Sequence, residues 1–108
     1  MPIHNKLVRD LIPQIIEKSG KQYSTRTLDD NEYITALRTK LEEELNEYLK
    51  ADNDQDSLEE LADLMELIHA LAKTHGASIE QVEKIRQQKE EQRGGFNDKV
   101  FLIEVEED

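Results

Sequence analysis

The sequence predicts an all-α fold of four helices, followed by one short C-terminal strand. Apolar residues recur at helical spacing through most of the chain, only four Gly and two Pro interrupt it, and capping-box patterns precede three of the helices. A chain of 108 residues with 36% apolar residues fits one small domain, residues 1–108. Its narrow core must come from amphipathic helices rather than from a fully buried sheet.

The first two helices have recognisable start and stop signals. The first is predicted over residues 11–18, where Gly20 supplies the stop. The polar segment that follows predicts a loop. Asp29 and Glu32 then have the spacing of a capping box, which opens a long second helix over residues 31–50.

The second half of the chain predicts two further helices and the strand. The third helix covers residues 56–75, and the fourth covers 78–92, where Ser78 and Gln81 complete a capping box. Residues 99–106 are rich in β-branched side chains and predict a single strand.

Composition and charge exclude several classes of function. With 14 Lys and Arg against 25 Asp and Glu, the net charge of −11 disfavours a nucleic-acid polymer as partner. The absence of cysteine excludes zinc-thiolate sites and thiol nucleophiles, so oxygen ligands are the natural metal chemistry. The sequence shows neither an apolar run long enough to span a membrane nor a signal pattern, so we expect a cytoplasmic protein with no membrane partner.

Carboxylates interrupt the apolar faces of the second and third helices. Glu44 falls within the apolar face of the second helix, and Glu47 lies on its flank. Glu60 begins a stripe of leucines on the third helix, with Asp63 at its edge. Because the connecting loop is short, the two helices are predicted to be antiparallel neighbours that bring both pairs to one seam.

Several desolvated carboxylates repel one another unless they are protonated or paired. A hard divalent cation relieves this repulsion, so we predict that Glu44, Glu47, Glu60 and Asp63 bind Mg²⁺, as one or two ions, with Mn²⁺ as the alternative. A competing interpretation places Glu60 in a capping box with Ser57. A capping box of Asp56 with Glu59 would leave Glu60 free.

Four sequence blocks resemble the MazG-like all-α nucleotide pyrophosphohydrolases. Residues 43–47 (EELNE) and 60–63 (ELAD) resemble the EExxE and ExxD signature, while residues 5–13 (NKLVRDLIP) and 89–96 (KEEQRGGF) resemble flanking blocks of a compact subgroup. The resemblance covers the whole chain. It implies a helical bundle that hydrolyses nucleoside triphosphates to a monophosphate and pyrophosphate, including the house-cleaning of noncanonical nucleotides.

The resemblance also suggests roles for individual residues. Glu43 is the candidate to orient or deprotonate the attacking water, since it adjoins the metal ligands but points slightly away from them. Lys40 lies one turn before these carboxylates and can reach the triphosphate from the same face. The remaining candidates for substrate binding are Lys6, Arg9, Lys89, Arg93, Gly94, Gly95 and Phe96.

Several alternatives compete with these roles. Glu43 and Glu47 fit a solvated face, Lys40 fits a surface ion pair, and Arg93 with Gly94 fits an ordinary helix end. For the whole chain, the alternatives are a phosphoribosyl-ATP pyrophosphohydrolase and a noncatalytic helical dimerisation or regulatory module.

The apolar face of the third helix is too wide for one neighbouring helix. It covers more than half of the circumference, so a second chain is expected to cover the rest. We therefore predict a bundle that is completed as a homodimer or a higher homo-oligomer, with the active site near the seam.

Overall fold

The computed structural model describes residues 2–107, so Met1 and Asp108, the two ends of the predicted domain, lie outside the described residues. Within this range the chain forms four helices, and the prediction of an all-α fold is confirmed. The helices are α1 (Ile12–Lys18), α2 (Asp30–Lys50), α3 (Asp54–Thr74) and α4 (Ile79–Arg93). None of these helices is long and apolar enough to cross a membrane.

Two of the predicted helix starts form as capping boxes. At the start of α2, the Asp29 side chain accepts a hydrogen bond from the backbone of Glu32, whose carboxylate accepts one from the Asp29 backbone. Ser78 and Gln81 form the equivalent pair at the start of α4. Each pair satisfies two backbone N–H groups that the first turn of a helix leaves free.

The start of α3 differs from the prediction. The helix begins at Asp54, because the Asn53 side chain accepts a hydrogen bond of 2.8 Å from the backbone N–H of Asp56. The Ser57 hydroxyl donates to the Asn53 carbonyl oxygen at 2.8 Å, so it does not cap the helix. The two predicted capping boxes were therefore wrong, and Glu60 lies inside the helix without a capping role.

The two long helices form the centre of the molecule. Only residues 51–53 separate α2 from α3, and the helices pack against each other as an antiparallel pair, with α4 packed on α3. The buried apolar side chains of the described residues are Leu37 from α2 and Leu67 and Ala72 from α3. This helix pair fixes the relative positions of the carboxylates that the sequence singles out.

The single chain leaves a large surface uncovered. Its radius of gyration is 18.8 Å and its extents are 64 × 36 × 24 Å. A compact chain of this length has a radius of gyration of about 13 Å. Its accessible surface is 10180 Å², whereas a folded monomer of this mass exposes about 6,200 Å². Large apolar side chains on α3 are exposed, namely Leu58, Leu61, Met65 and Ile68.

The predicted C-terminal strand is absent from the described residues. Residues 99–107, which we call the C-terminal arm, are irregular, and the side chains of Val100, Phe101, Leu102 and Ile103 are exposed. A strand requires a hydrogen-bonded neighbour, and β-branched composition alone does not provide one. Within residues 2–107, the arm pairs with no other segment as a strand.

Candidate metal centre

Three carboxylates from α2 and α3 meet at the helix interface. One carboxylate oxygen from each of Glu44, Glu60 and Asp63 lies within 4.8 Å of the others, and all three residues are half-buried. We call this group the acidic triad. Glu60 and Asp63 are three residues apart on α3 and therefore share one face of that helix. Glu44 comes from α2, which packs against α3.

Cations contact the two outer members of the acidic triad. Lys40 Nζ lies 3.7 Å from Glu44 Oε1, in a pair whose side chains are only 22% and 17% exposed. Arg9 Nη2 donates a hydrogen bond of 2.7 Å to Asp63 Oδ1. Glu60, in contrast, has a side-chain oxygen, Oε2, that is buried without a hydrogen bond within residues 2–107. The centre of the triad therefore contains an unsatisfied acceptor, which is costly in a folded protein.

The electrostatics of Glu60 follow from this arrangement. Its pKa is raised to about 7, first because a protonated Glu60 can share a hydrogen bond with Glu44. Partial burial raises the pKa further, as do the negative charges of Glu44, Asp63 and Glu47. When Glu44 and Glu60 are both ionised, neither has a proton to donate, and Glu60 Oε2 is left without a partner.

The acidic triad fits a hard divalent cation. Its donor set consists of carboxylate oxygens from two rigid helices, and Mg²⁺ prefers oxygen ligands and keeps some of its waters. A cation between the three carboxylates would satisfy Glu60 Oε2 and offset the repulsion that otherwise favours a proton there. The residues present therefore suit the metal that the sequence predicts.

The other two predicted acidic residues lie outside the triad. Glu43 and Glu47 are both exposed on α2, in agreement with the solvated face that was their alternative interpretation. Glu47 is nevertheless close enough for its charge to raise the pKa of Glu60. Glu43 adjoins Glu44 in the chain and faces open solvent.

The structure separates the predicted substrate-binding residues. Lys40 and Arg9 contact members of the acidic triad, whereas Lys6 and Lys89 are exposed. The remaining candidates, Arg93, Gly94, Gly95 and Phe96, form what we call the RGGF block, and together with the residues up to 100 they line a separate surface depression. No hydrogen bond or ion pair among the described residues joins this block to the triad.

Local structure explains part of the RGGF block. Arg93 is the last residue of α4, and Gly94 follows as its C-cap with a φ of 81°, a conformation that glycine adopts without strain. Arg93 and Gly94 therefore form an ordinary helix end, as the alternative interpretation of this pair states. The ring of Phe96 is 99% exposed, so in the single chain it belongs to no core.

One acidic residue near the site was missed by the sequence analysis. Glu66 lies one turn after Asp63 on α3, and its Oε1 atom is 3.8 Å from Nη1 of Arg9. The spacing of three residues from Asp63 was a usable signal, because it places both carboxylates on one helix face. The partner was not predictable, since Arg9 and Asp63 are 54 positions apart.

A family model and a partial relative match this chain. A family model described as phosphoribosyl-ATP pyrophosphohydrolase matches residues 5–90, which include the acidic triad but end before the RGGF block. An uncharacterized protein of Mycolicibacterium smegmatis is 48% identical over 54 residues, which make up 50% of this chain and 55% of the relative. The chain thus spans about half the length of this curated relative. No solved structure matches the chain.

Proposed function

We propose that this chain, which belongs to the phosphoribosyl-ATP pyrophosphohydrolase family and thus to the MazG-like all-α nucleotide pyrophosphohydrolases, hydrolyses nucleoside triphosphates with Mg²⁺ or Mn²⁺. The reaction cleaves the α–β phosphoanhydride and yields a nucleoside monophosphate and pyrophosphate. The observation that carries the proposal is the acidic triad, whose central Glu60 has a buried oxygen without a partner. A central carboxylate oxygen without a partner of its own is suited to a substrate that arrives with a divalent cation.

The acidic triad would provide the ligands. Glu47, the fourth predicted ligand, lies outside the triad but close enough for its charge to raise the pKa of Glu60. When bound there, the divalent cation would offset the charge of the phosphates and position a water for attack. Lys40 is held at Glu44 in a half-buried position, where its ammonium group can attract a triphosphate oxygen.

Glu43 is proposed to accept the proton of the attacking water. The water oxygen forms a bond to one phosphorus of the α–β anhydride and the bond from this phosphorus to the bridging oxygen breaks. The bridging oxygen stays with the other fragment, so the products are the monophosphate and pyrophosphate. Glu43 suits this role because it adjoins Glu44, is exposed and has no hydrogen-bond partner among residues 2–107 that would hold it away from a water. Its proton would then return to solvent.

The substrate is proposed to be a small nucleotide rather than a polymer. The net charge of −11 repels an extended phosphate backbone, whereas a bound divalent cation offsets part of the charge of a single triphosphate. Noncanonical nucleotides are included in the proposal. Phosphoribosyl-ATP is the second candidate substrate, because the matching family model bears its name.

A panel of nucleotides tests the activity directly. Canonical triphosphates, damaged triphosphates and phosphoribosyl-ATP are incubated with the chain and Mg²⁺, and pyrophosphate and orthophosphate are measured separately. We expect pyrophosphate and a monophosphate in equal amounts. Release of orthophosphate alone would reject cleavage between the α and β phosphates, and no release from any member would favour the noncatalytic dimerisation module.

The active form is proposed to be a homodimer or a higher assembly. The single chain exposes about 4,000 Å² more than a compact monomer. Obligate dimers bury about 2,000–5,000 Å² in total, which is about 1,000–2,500 Å² per chain, so one partner copy can cover part of this excess. The exposed apolar residues of α3 and the C-terminal arm are the surfaces available for this contact. The RGGF block could then approach the acidic triad of the partner chain rather than its own.

A further inference from the structure

We propose that Arg9 is an exchangeable counterion of the metal centre, which occupies Asp63 in the metal-free protein and moves to Glu66 when a divalent cation binds Asp63. The inference rests on the proposed metal centre and adds the partner that Asp63 has when no cation is bound. Its basis is the position of Arg9 between two carboxylates of α3. One of them, Asp63, belongs to the acidic triad, and the other, Glu66, does not.

The two distances define the resting position of Arg9. Nη2 donates to Asp63 Oδ1 at 2.7 Å, while Nη1 lies 3.8 Å from Glu66 Oε1. The first contact is a short, charge-assisted hydrogen bond, and the second is a looser ion pair. Of the two carboxylates, the guanidinium group therefore favours Asp63, which the cation would need as a ligand.

Arg9 and a divalent cation would compete for Asp63, because both are positively charged. A divalent cation bound at Asp63 brings positive charge to the oxygen to which Arg9 donates, and two cations on one carboxylate repel each other. Glu66 offers Arg9 a second carboxylate one helical turn away, so the exchange needs only a rotation of the long side chain. The half-exposed position of Arg9 leaves room for that movement.

A matched arginine on α4 provides the internal control. Arg86 also lies between two carboxylates, donating to Glu83 and Glu90 at 2.6 Å each. Its side chain is 55% exposed, against 54% for Arg9. Neither partner of Arg86 belongs to the acidic triad, so removing its charge changes the net charge of the protein without altering the metal centre.

The first test measures metal affinity in the absence of nucleotide. Mn²⁺ is titrated into the chelator-treated full chain and its free concentration is followed by electron paramagnetic resonance. Because exposed ion pairs contribute about 0.2–1 kcal/mol, we expect Arg9→Gln to lower the Kd for Mn²⁺ by a factor of about 1.4 to 5. Arg86→Gln should leave it at the wild-type value.

The second test follows the guanidinium group itself. In protein labelled with ¹⁵N-arginine, the Arg9 side-chain resonance is assigned by its loss in Arg9→Gln. On addition of Mg²⁺ we expect this resonance to shift, while that of Arg86 stays in place. Glu66→Gln should raise the Kd for Mn²⁺ more in the wild type than in the Arg9→Gln background, because only the wild type needs Glu66 as an alternative partner.

The possible results separate this inference from the proposed function. If Mn²⁺ binds equally to wild type and Arg9→Gln and the Arg9 resonance stays in place, the exchange is wrong and the metal centre stands. If neither protein binds Mn²⁺, both proposals fail. A tighter complex in Arg9→Gln but not in Arg86→Gln, together with the shifted resonance, supports the exchange.

Discussion

Glu44 on α2 and Glu60 on α3 bring one carboxylate oxygen each to within 4.8 Å of the other across the helix interface. Two acidic groups at this distance repel each other when ionised. The pKa of Glu60 is raised first by the hydrogen bond that its protonated form shares with Glu44, and further by partial burial and by the neighbouring negative charges. Glu44 has Lys40 as a half-buried partner, whereas Glu60 has a buried oxygen without a hydrogen bond within residues 2–107. Such a departure from the rules of folding is characteristic of a functional site.

Substitution of Glu60 by Gln should separate stability from activity. The amide keeps the shape of the side chain but removes one negative charge from the acidic triad. Outer-shell partners of metal ligands already account for 10- to 100-fold in activity, so we expect loss of a ligand to lower metal-dependent turnover by more than about 100-fold. In the presence of a chelator, the melting temperature should stay at or above that of wild type.

The matched control is Glu59→Gln, one position earlier on the same helix. Glu59 is exposed and lies outside the acidic triad, so its removal should leave turnover and metal affinity unchanged. Circular dichroism is the check that both variants keep their helices. Wild-type turnover in Glu60→Gln would refute the assigned ligand role.

The stability of the metal-free protein should depend on pH because of the raised pKa of Glu60. Its pKa is about 7 in the folded chain, against the ordinary value of 4.5, so between these values only the folded state retains the proton. The free energy of unfolding therefore falls as pH rises from about 4.5 to about 7, and the stabilising contribution is complete below that range. Melting temperatures in chelator, measured from pH 5 to pH 8, check this trend.

Two comparisons isolate the contribution of Glu60 to that profile. Glu60→Gln should flatten the decline, because the other titrating groups remain the same in both proteins. Glu32 has the opposite sign, since its hydrogen bond with Arg26 lowers its pKa to about 2 and its contribution is lost only as pH falls below 4.5. A profile that is identical in wild type and Glu60→Gln would contradict the raised pKa.

The sequence predicts the acidic triad better than its surroundings. Glu44 and Glu60 were identifiable because a carboxylate within a periodic apolar stripe breaks a local pattern. The contact of Arg9 with Asp63 joins residues 54 positions apart, and nothing periodic in the sequence encodes it. The strand over residues 99–106 failed for a similar reason, since composition reports a preference for extended structure but not the presence of a partner.

Removal of the Asn53 cap should destabilise the helix that supports Glu60. The sequence predicts a cap at Asp56 or Ser57, whereas in the structure Asn53 caps α3 and its side chain accepts from the Asp56 backbone. We expect Asn53→Ala to lower the free energy of unfolding by about 1 kcal/mol, as is usual for loss of an N-cap. Ser57→Ala is the control and should cost less, because the Ser57 hydroxyl donates to a carbonyl oxygen and leaves the cap intact. Urea unfolding of both variants measures the two changes in the free energy of unfolding.

Disruption of the apolar face of α3 should dissociate the proposed homodimer. Met65 is 61% exposed in the single chain, and Leu58, Leu61 and Ile68 of the same helix are also exposed. A charge placed at Met65 and buried against a partner chain would lack a counterion. Sedimentation at micromolar concentration should show at least a dimer for wild type and a lighter or unfolded species for Met65→Glu. Gln87→Glu adds the same charge to the polar surface of α4 and should keep the wild-type mass. A wild-type monomer would refute the assembly, because the exposed apolar surface would then need another explanation.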